Sequence, residues 1–102
     1  MHLIKDNKIN RFQVLLNLYV AVNGYYDIVK NLKMIAEHQA ITGNDFKSAF
    51  KYLAEEELIE LREGDGEYFA SLSHKGLKAV EEVFLDPNKE TYYFPSYREM
   101  KE

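Results

Sequence analysis

Apolar residues recur every three or four positions through the first half of the chain, the spacing that places them on one face of a helix. The first run extends from Ile9 to Val22 and predicts a helix that is buried on most sides. Asn10 is placed to cap its start, and Asn23-Gly24 is a strong stop signal, because both residues tolerate the left-handed conformation that ends helices. The fold is therefore expected to begin with one well-delimited helix.

A second, shorter helix is predicted from Leu32 to His38, opened by Lys30 or Asn31. Between the two helices, the segment from Tyr25 to Val29 is short and rich in residues that favour β structure. This segment is either a single strand or a loop that lies against the fold. Residues 39–41 then form a tight connection to the next helix.

The stretch from about Gly43 to Glu57 is the most clearly amphipathic part of the chain. Thr42 can cap its first turn, and Asp45 supplies a carboxylate three residues later, as in a capping box. The apolar face consists of Phe46, Ala49, Phe50 and Leu53, and the opposite face consists of Asn44, Lys47, Ser48, Lys51 and Glu55. We expect the first face to pack inward and the second to be available to a partner.

After this helix the pattern changes to the alternation that is typical of strands. The segments from Leu58 to Arg62 and from Glu67 to Leu72 are predicted to pair across the turn Glu63-Gly64-Asp65-Gly66. Ser73 then caps a closing helix, which ends at Asp86-Pro87-Asn88. Its buried stripe is expected to contain Leu77, Val80, Val83 and Phe84. The predicted fold class is therefore mainly α with a small β-hairpin, that is, α+β.

A length of 102 residues, of which 46% are hydrophobic, fits a single domain covering residues 1–102. Its core is expected at about residues 9–85, followed by an aromatic tail at residues 87–102. The absence of cysteine excludes disulfides and thiolate ligands. No apolar run approaches the length of a membrane span, and the N-terminus lacks the apolar core of a signal peptide, so we expect a cytoplasmic protein without a membrane partner.

The histidines and acidic residues form no recognisable catalytic or metal-binding pattern. His2, His38 and His74 are scattered, and no pair has the four-residue spacing of a helical metal site. Gly64-Asp65-Gly66 is better explained as a hairpin turn than as a phosphate loop, and Glu55-Glu56-Glu57 as a solvated helix end than as a catalytic pair. We therefore expect no enzymatic activity, no metal and no cofactor.

The order of the predicted elements, together with two short strings, resembles the winged helix-turn-helix regulators of bacteria over about residues 9–85. Tyr52-Leu53-Ala54-Glu55-Glu56-Glu57-Leu58-Ile59 is similar to the family's Y-L-x-E-x-G-L-I, with Glu57 where glycine is usual. Leu72-Ser73-His74-Lys75-Gly76 resembles the family's L-T-x-x-G. The resemblance implies a winged helix fold, with a three-helix core, a β-hairpin wing and a closing helix.

The resemblance also implies that the amphipathic helix reads the major groove of double-stranded DNA, as in a transcriptional regulator. The candidate DNA-binding residues are Asn44, Lys47, Ser48, Lys51 and Tyr52. Asparagine can hydrogen-bond adenine, lysine and serine can reach base edges or phosphates, and tyrosine can donate to a phosphate. The same polar face is also compatible with an ordinary solvated helix surface.

The net charge of −4 comes entirely from residues 63–102, which contain five basic and nine acidic residues, whereas residues 1–62 contain eight of each. The charged residues of the predicted hairpin are four acids and one base: Glu60, Glu63, Asp65, Glu67 and Arg62. We expect the tip of this hairpin to be repelled by DNA phosphates. An alternative function follows, in which the chain is an acidic protein-interaction or dimerisation module that does not bind DNA.

Four aromatic residues lie close together in the tail: Tyr92, Tyr93, Phe94 and Tyr97. A segment this apolar is not expected to remain loose in water. It either folds back over the core of its own chain or contacts a second subunit or protein partner, since tyrosine and phenylalanine are enriched in interfaces. Because a symmetric pair presents two recognition helices to successive major grooves, we expect a homodimer.

Overall fold

The computed structural model describes residues 2–37 and 44–101, and within these ranges it contains five helices and three strands. In chain order they are α1 (His2–Ala21), β1 (Val29–Asn31), α2 (Leu32–Glu37), α3 (Asn44–Glu55), β2 (Ile59–Gly64), β3 (Glu67–Leu72), α4 (His74–Leu85) and α5 (Tyr97–Met100). The predicted α+β class is confirmed. Predictions made for residues 38–43, including the Thr42 cap and the helix start at Gly43, lie outside the described residues.

The first helix is longer than the apolar pattern predicts, because α1 begins at His2 rather than near Ile9. The prediction that Asn10 caps this helix is therefore wrong. The preceding segment contains no glycine or proline that would stop the helix. It also gains a neighbour in the tail, since Lys5 Nζ lies 3.2 Å from Glu99 Oε1 in an ion pair. A contact between the two ends of the chain cannot be read from local periodicity.

The end of α1 is where its sequence predicts. Asn23 and Gly24 adopt positive φ angles of 54° and 75°. The Gly24 amide donates a hydrogen bond of 2.9 Å to the carbonyl of Tyr19, which satisfies one of the free carbonyls in the last turn. This stop signal is confirmed.

The three strands form one antiparallel sheet in the order β1-β3-β2 within the described part of the chain. Strands β2 and β3 are joined by the two-residue turn Asp65-Gly66, whose φ angles of 53° and 78° are those of a type I′ turn. The predicted hairpin is confirmed, with Gly64 paired to Glu67. Its first strand, Ile59–Gly64, lies one to two residues later than the predicted segment from Leu58 to Arg62.

Strand β1 begins only at the last residue of the segment for which a strand or a loop was predicted. Val29 pairs with Ser71 of β3, whereas Asp27 has a φ of 65° and is not extended. The Asp27 amide nevertheless donates to the Leu72 carbonyl at 2.9 Å. Of the two residues predicted to open α2, Asn31 does so, because its Oδ1 accepts the Lys33 amide at 2.9 Å.

The buried hydrophobic side chains form one cluster, to which α1, α2, α3, the sheet, α4 and the tail contribute. Val80 and Val83 of α4 are fully buried, and Leu77 is partly buried. The prediction that Phe84 is buried is wrong, because its side chain is 42% exposed. It lies at the edge of the cluster, where the ring of Tyr97 covers it in part, with 4.9 Å between ring centroids.

The end of α3 has the hydrogen bonds of a Schellman motif. The amides of Glu57 and Leu58 donate to the carbonyls of Ala54 and Leu53, at 3.0 and 2.9 Å. Glu57 adopts a φ of 62°, the conformation that glycine would adopt most easily. The helix therefore ends in a Schellman motif although the residue in the left-handed conformation, Glu57, is not a glycine.

The N-cap of α4 is bound to the same junction. Ser73 Oγ accepts the Gly76 amide at 2.9 Å and donates to the Glu57 carbonyl at 2.7 Å. The Ser73 amide also donates to the Leu58 carbonyl at 3.1 Å. The predicted Ser73 cap is confirmed, and it connects the start of α4 to the end of α3.

Candidate nucleic-acid interface

Helix α3 has the two faces that its sequence predicts. Ala49, Phe50 and Leu53 are buried, and the helix packs mainly against α1 and β2. Lys47, Ser48 and Lys51 are exposed on the other side. Three of the candidate DNA-binding side chains thus lie together on one accessible surface, which we call the α3 face.

The other two candidates differ from this group. Asn44 is the first residue of α3, and its side chain is outside the described part of the structure. Tyr52 is only partly exposed, because the guanidinium carbon of Arg11 lies 3.7 Å from the centroid of its ring. This distance indicates a cation–π contact between α1 and α3.

Arg11 is a cation beside the α3 face that sequence reasoning missed. It belongs to α1, whose periodicity indicated a largely buried helix, and no motif connects it with α3. The side chain is partly exposed. The available signal was the presence of one arginine in an otherwise uncharged run from Ile9 to Val22.

The charges on this surface are accessible to a ligand. The ion pairs in the described residues join Lys5 to Glu99 and Arg62 to Glu60, so they do not involve Lys47, Lys51 or Arg11. Because Ser48 and Tyr52 are one helical turn apart, the Arg11–Tyr52 contact continues the surface formed by the lysines. Three cations therefore meet at the α3 face and its border.

The β2–β3 hairpin carries negative charge, in contrast to the α3 face. Its one base, Arg62, donates from Nε and Nη2 to Glu60 Oε1, at 3.2 and 2.8 Å. Glu63, Asp65 and Glu67 are exposed around the turn. The negative charge of the hairpin tip is therefore not offset by a free base on the hairpin itself.

The tail folds against its own chain, although its aromatic residues differ widely in exposure. Phe94 is 1% exposed and packs edge-on against Phe12, with 5.1 Å between ring centroids. Tyr93 and Tyr97 are partly buried, whereas Tyr92 is 85% exposed. The prediction of a partner contact is wrong for Phe94, because this side chain is buried in the core of its own chain. For the three tyrosines it stays a prediction.

The exposed part of the tail borders a surface groove beside the end of α4. The groove is lined by Glu82, Leu85, Asp86, Lys89, Glu90, Thr91 and Tyr92. Leu85 is 83% exposed. An apolar pair, Leu85 and Tyr92, is thus surrounded by charges of both signs.

The described residues contain neither a metal-binding cluster nor a helix that could span a membrane. They contain no cluster of three or more histidine or acidic side chains that could hold a metal ion. His74 lies against the ring of Tyr26, with 5.5 Å between centroids. None of the helices in residues 2–37 and 44–101 combines the length and the apolar composition needed to cross a lipid bilayer.

Comparisons of the chain with protein-family models, with curated proteins and with solved structures found no match. The fold, the α3 face and the acidic hairpin are therefore the features that bear on function.

Proposed function

We propose that this chain is a winged helix protein that binds duplex DNA through α3, as a small transcriptional regulator. The order of elements supports the fold: three helices, with β1 before α2, then the β2–β3 hairpin as the wing and α4 as the closing helix. In the sheet, β1 pairs with β3 of that hairpin. In such a fold α3 is the helix presented to the major groove.

The observation that carries the function is the composition of the α3 face. Lys47, Ser48 and Lys51 are exposed together on a helix whose other face is buried, and neither lysine forms an ion pair with another described residue. Serine and lysine can donate to phosphates and base edges, and unpaired lysines contribute the counterion release that favours DNA binding. Arg11 adds a third cation from α1.

The direct test is a fluorescence anisotropy titration of a short random-sequence duplex at several salt concentrations. We expect weak binding whose logarithmic association constant falls linearly with the logarithm of salt concentration, since phosphate contacts release counterions. Binding that is absent at low salt, or independent of salt, would contradict the proposed function.

The acidic hairpin favours a second candidate function, a protein-interaction module that does not bind DNA. Glu63, Asp65 and Glu67 are exposed, and Arg62 is paired with Glu60, so this surface suits a basic partner better than a phosphate backbone. If it served DNA binding, the double change Glu63→Lys and Asp65→Lys would strengthen duplex binding strongly. We expect little change in the titration, because an acidic hairpin should lie away from the phosphates of the duplex.

A further inference from the structure

Among the described residues, the guanidinium group of Arg11 contacts an aromatic ring and has no hydrogen-bond acceptor. Its central carbon lies 3.7 Å from the centroid of the Tyr52 ring. At this distance the guanidinium is in van der Waals contact with the face of the ring, and the contact favours a stacked arrangement in which the N–H groups lie at the edge of the pair. The guanidinium hydrogen bonds in the described residues belong to Arg62 and Arg98.

An arginine in this arrangement is suited to one kind of ligand. Five donors in a rigid fork match the oxygens of a phosphate or carboxylate, and stacking on an aromatic ring reduces the freedom that binding would otherwise remove. Arg62, by contrast, already donates to Glu60 Oε1, and Arg98 donates to Asn88 Oδ1. Arg11 is therefore the arginine of the described residues that has an oriented guanidinium and no acceptor for it.

The position of Arg11 indicates which kind of anionic ligand would reach it. Tyr52 follows Lys51 directly and is one helical turn from Ser48, both of which are exposed. A polyanion lying along the α3 face would therefore meet Arg11 at the border with α1. A phosphate backbone has the regular spacing of charges that such a surface requires.

We propose that Arg11, held by the Tyr52 ring, binds a phosphodiester group of duplex DNA at the border between α1 and α3. Tyr52 is a positioning residue, which supports the arginine instead of donating its own hydroxyl to the phosphate. This inference rests on the proposed function of α3, and adds a contact from α1 that fixes how the duplex lies across the two helices.

The test uses the salt-dependent anisotropy titration of a random-sequence duplex with the full chain and five variants. Arg11→Ala should lower the slope of log K against log salt by about 0.9, because one phosphate contact is lost. Arg11→Lys should keep the slope but weaken binding about threefold, since the charge remains and the fork is lost. Tyr52→Phe, which keeps the ring, should bind within about twofold of the unaltered chain.

The fourth variant is the matched control, Arg98→Ala, which removes the same charge from α5 and should leave slope and affinity unchanged. Melting temperatures show which variants are folded. If Arg11→Ala does not fold, Arg11→Lys and Tyr52→Phe still decide the matter. Unchanged affinity of Arg11→Lys, or a strong loss in Tyr52→Phe, would overturn the proposal.

The remaining outcomes separate this inference from the function on which it rests. If Lys47→Ala/Lys51→Ala lowers the slope and Arg11→Ala does not, the arginine contact is refuted while DNA binding by α3 stands. If the unaltered chain shows no salt-dependent binding to the duplex, both are refuted. Arg11-dependent binding to phosphatidylglycerol vesicles without binding to the duplex would overturn the proposal in favour of lipid phosphates.

Discussion

Gly76 lies where the first turn of α4 approaches the backbone at the start of β2. A Cβ atom added there would be 1.9 Å from the carbonyl oxygen of Leu58, far closer than non-bonded atoms can come. That carbonyl also accepts the Ser73 amide, so it is fixed by the hydrogen bonds of the junction. Neither partner can move without disturbing the cap of α4.

We expect Gly76→Ala to lower the free energy of unfolding by about 3 kcal/mol, because the methyl group displaces α4 from the sheet. Gly64→Ala is the matched control. A Cβ atom at Gly64 would meet no atom within 4 Å, and the φ of this residue is not positive. Urea denaturation of both variants provides the measurement, and equal stabilities would contradict the close approach of α4 to Leu58.

Glu57 adopts the left-handed conformation at the end of α3, with a φ of 62°. For a residue with a Cβ atom this conformation is unfavourable, whereas glycine adopts it freely. We expect Glu57→Gly to raise the free energy of unfolding by about 0.5–1 kcal/mol. Glu56→Gly removes the same charge from the neighbouring residue, whose φ is not positive, and should lower stability by a similar amount. A loss of stability in Glu57→Gly would contradict the Schellman end.

These residues show how far sequence reasoning reaches. The two strings around Glu57 and Gly76 stood out in the sequence as a resemblance, but the reason that they occur together is visible only in space, where Ser73 binds both ends of the junction. The exposed positions Lys47, Ser48 and Lys51 followed from helical period. Arg11 did not, because its contact with Tyr52 joins two helices that are distant in the sequence.

A solvent-exposed hydrogen bond joins α1 to α4. The Tyr19 hydroxyl donates to Glu81 Oε2 at 2.9 Å. This hydrogen bond to a carboxylate raises the pKa of Tyr19 above its ordinary value of 10.0, with smaller contributions from burial and from the charge of Glu81. The proton is held more firmly in the folded state than in the unfolded state.

Tyr19→Phe should therefore lower the free energy of unfolding at neutral pH, by less than about 1 kcal/mol because the bond is exposed to solvent. A raised pKa means that the stabilisation is fully present below pH 10 and is lost as pH rises through the folded-state value. The difference between Tyr19→Phe and the unaltered chain should thus disappear in alkaline denaturation series. Tyr25→Phe, at a ring that is 66% exposed, is the control and should change nothing at either pH.

The elements that were predicted well have their signals in the chain itself. Ser73 caps α4, Asp65-Gly66 forms the turn, and Asn23-Gly24 ends α1, each through local backbone chemistry. The elements predicted less well depend on distant partners. Strand β1 pairs with β3, and the first turns of α1 form an ion pair with α5 through Lys5 and Glu99. The spacing of apolar residues within one segment gives no information about such distant partners.

One part of the tail packs into the core, and another part borders an exposed apolar surface that could support self-association. Phe94 is part of the core, so removing residues 90–102 would destabilise the chain instead of yielding a folded monomer. Leu85 and Tyr92, in contrast, are 83% and 85% exposed. In a two-fold contact, Lys89 of each copy could pair with acidic residues of the other around this apolar pair.

We expect the chain to be a dimer at micromolar concentration and Leu85→Ser/Tyr92→Ser to be a monomer, because the change removes the exposed apolar pair from the contact. Val20→Ser alters another exposed apolar residue, on α1, and should remain a dimer. Light scattering distinguishes the two states. A monomeric unaltered chain, or a dimeric double variant, would show that the tail groove is not the dimer interface.

Because the protein is acidic overall, its proposed binding to DNA depends on a small number of cations. The excess of acid lies in residues 63–102, and the base of the hairpin is paired, whereas Lys47, Lys51 and Arg11 lie together at the α3 face and its border with α1. Any salt-dependent affinity for DNA should thus disappear when that small set of cations is removed. An acidic protein offers little other electrostatic attraction to a duplex.

The decisive measurement compares the double variant Lys47→Ala/Lys51→Ala with Lys30→Ala/Lys78→Ala, which removes the same charge from exposed positions on β1 and α4. In the duplex titration, the first variant should lose about two units of the slope of log K against log salt, because two phosphate contacts are removed. The second should retain the slope of the unaltered chain. An unchanged slope in the folded Lys47→Ala/Lys51→Ala variant, or an equal loss in both variants, would contradict DNA binding through α3.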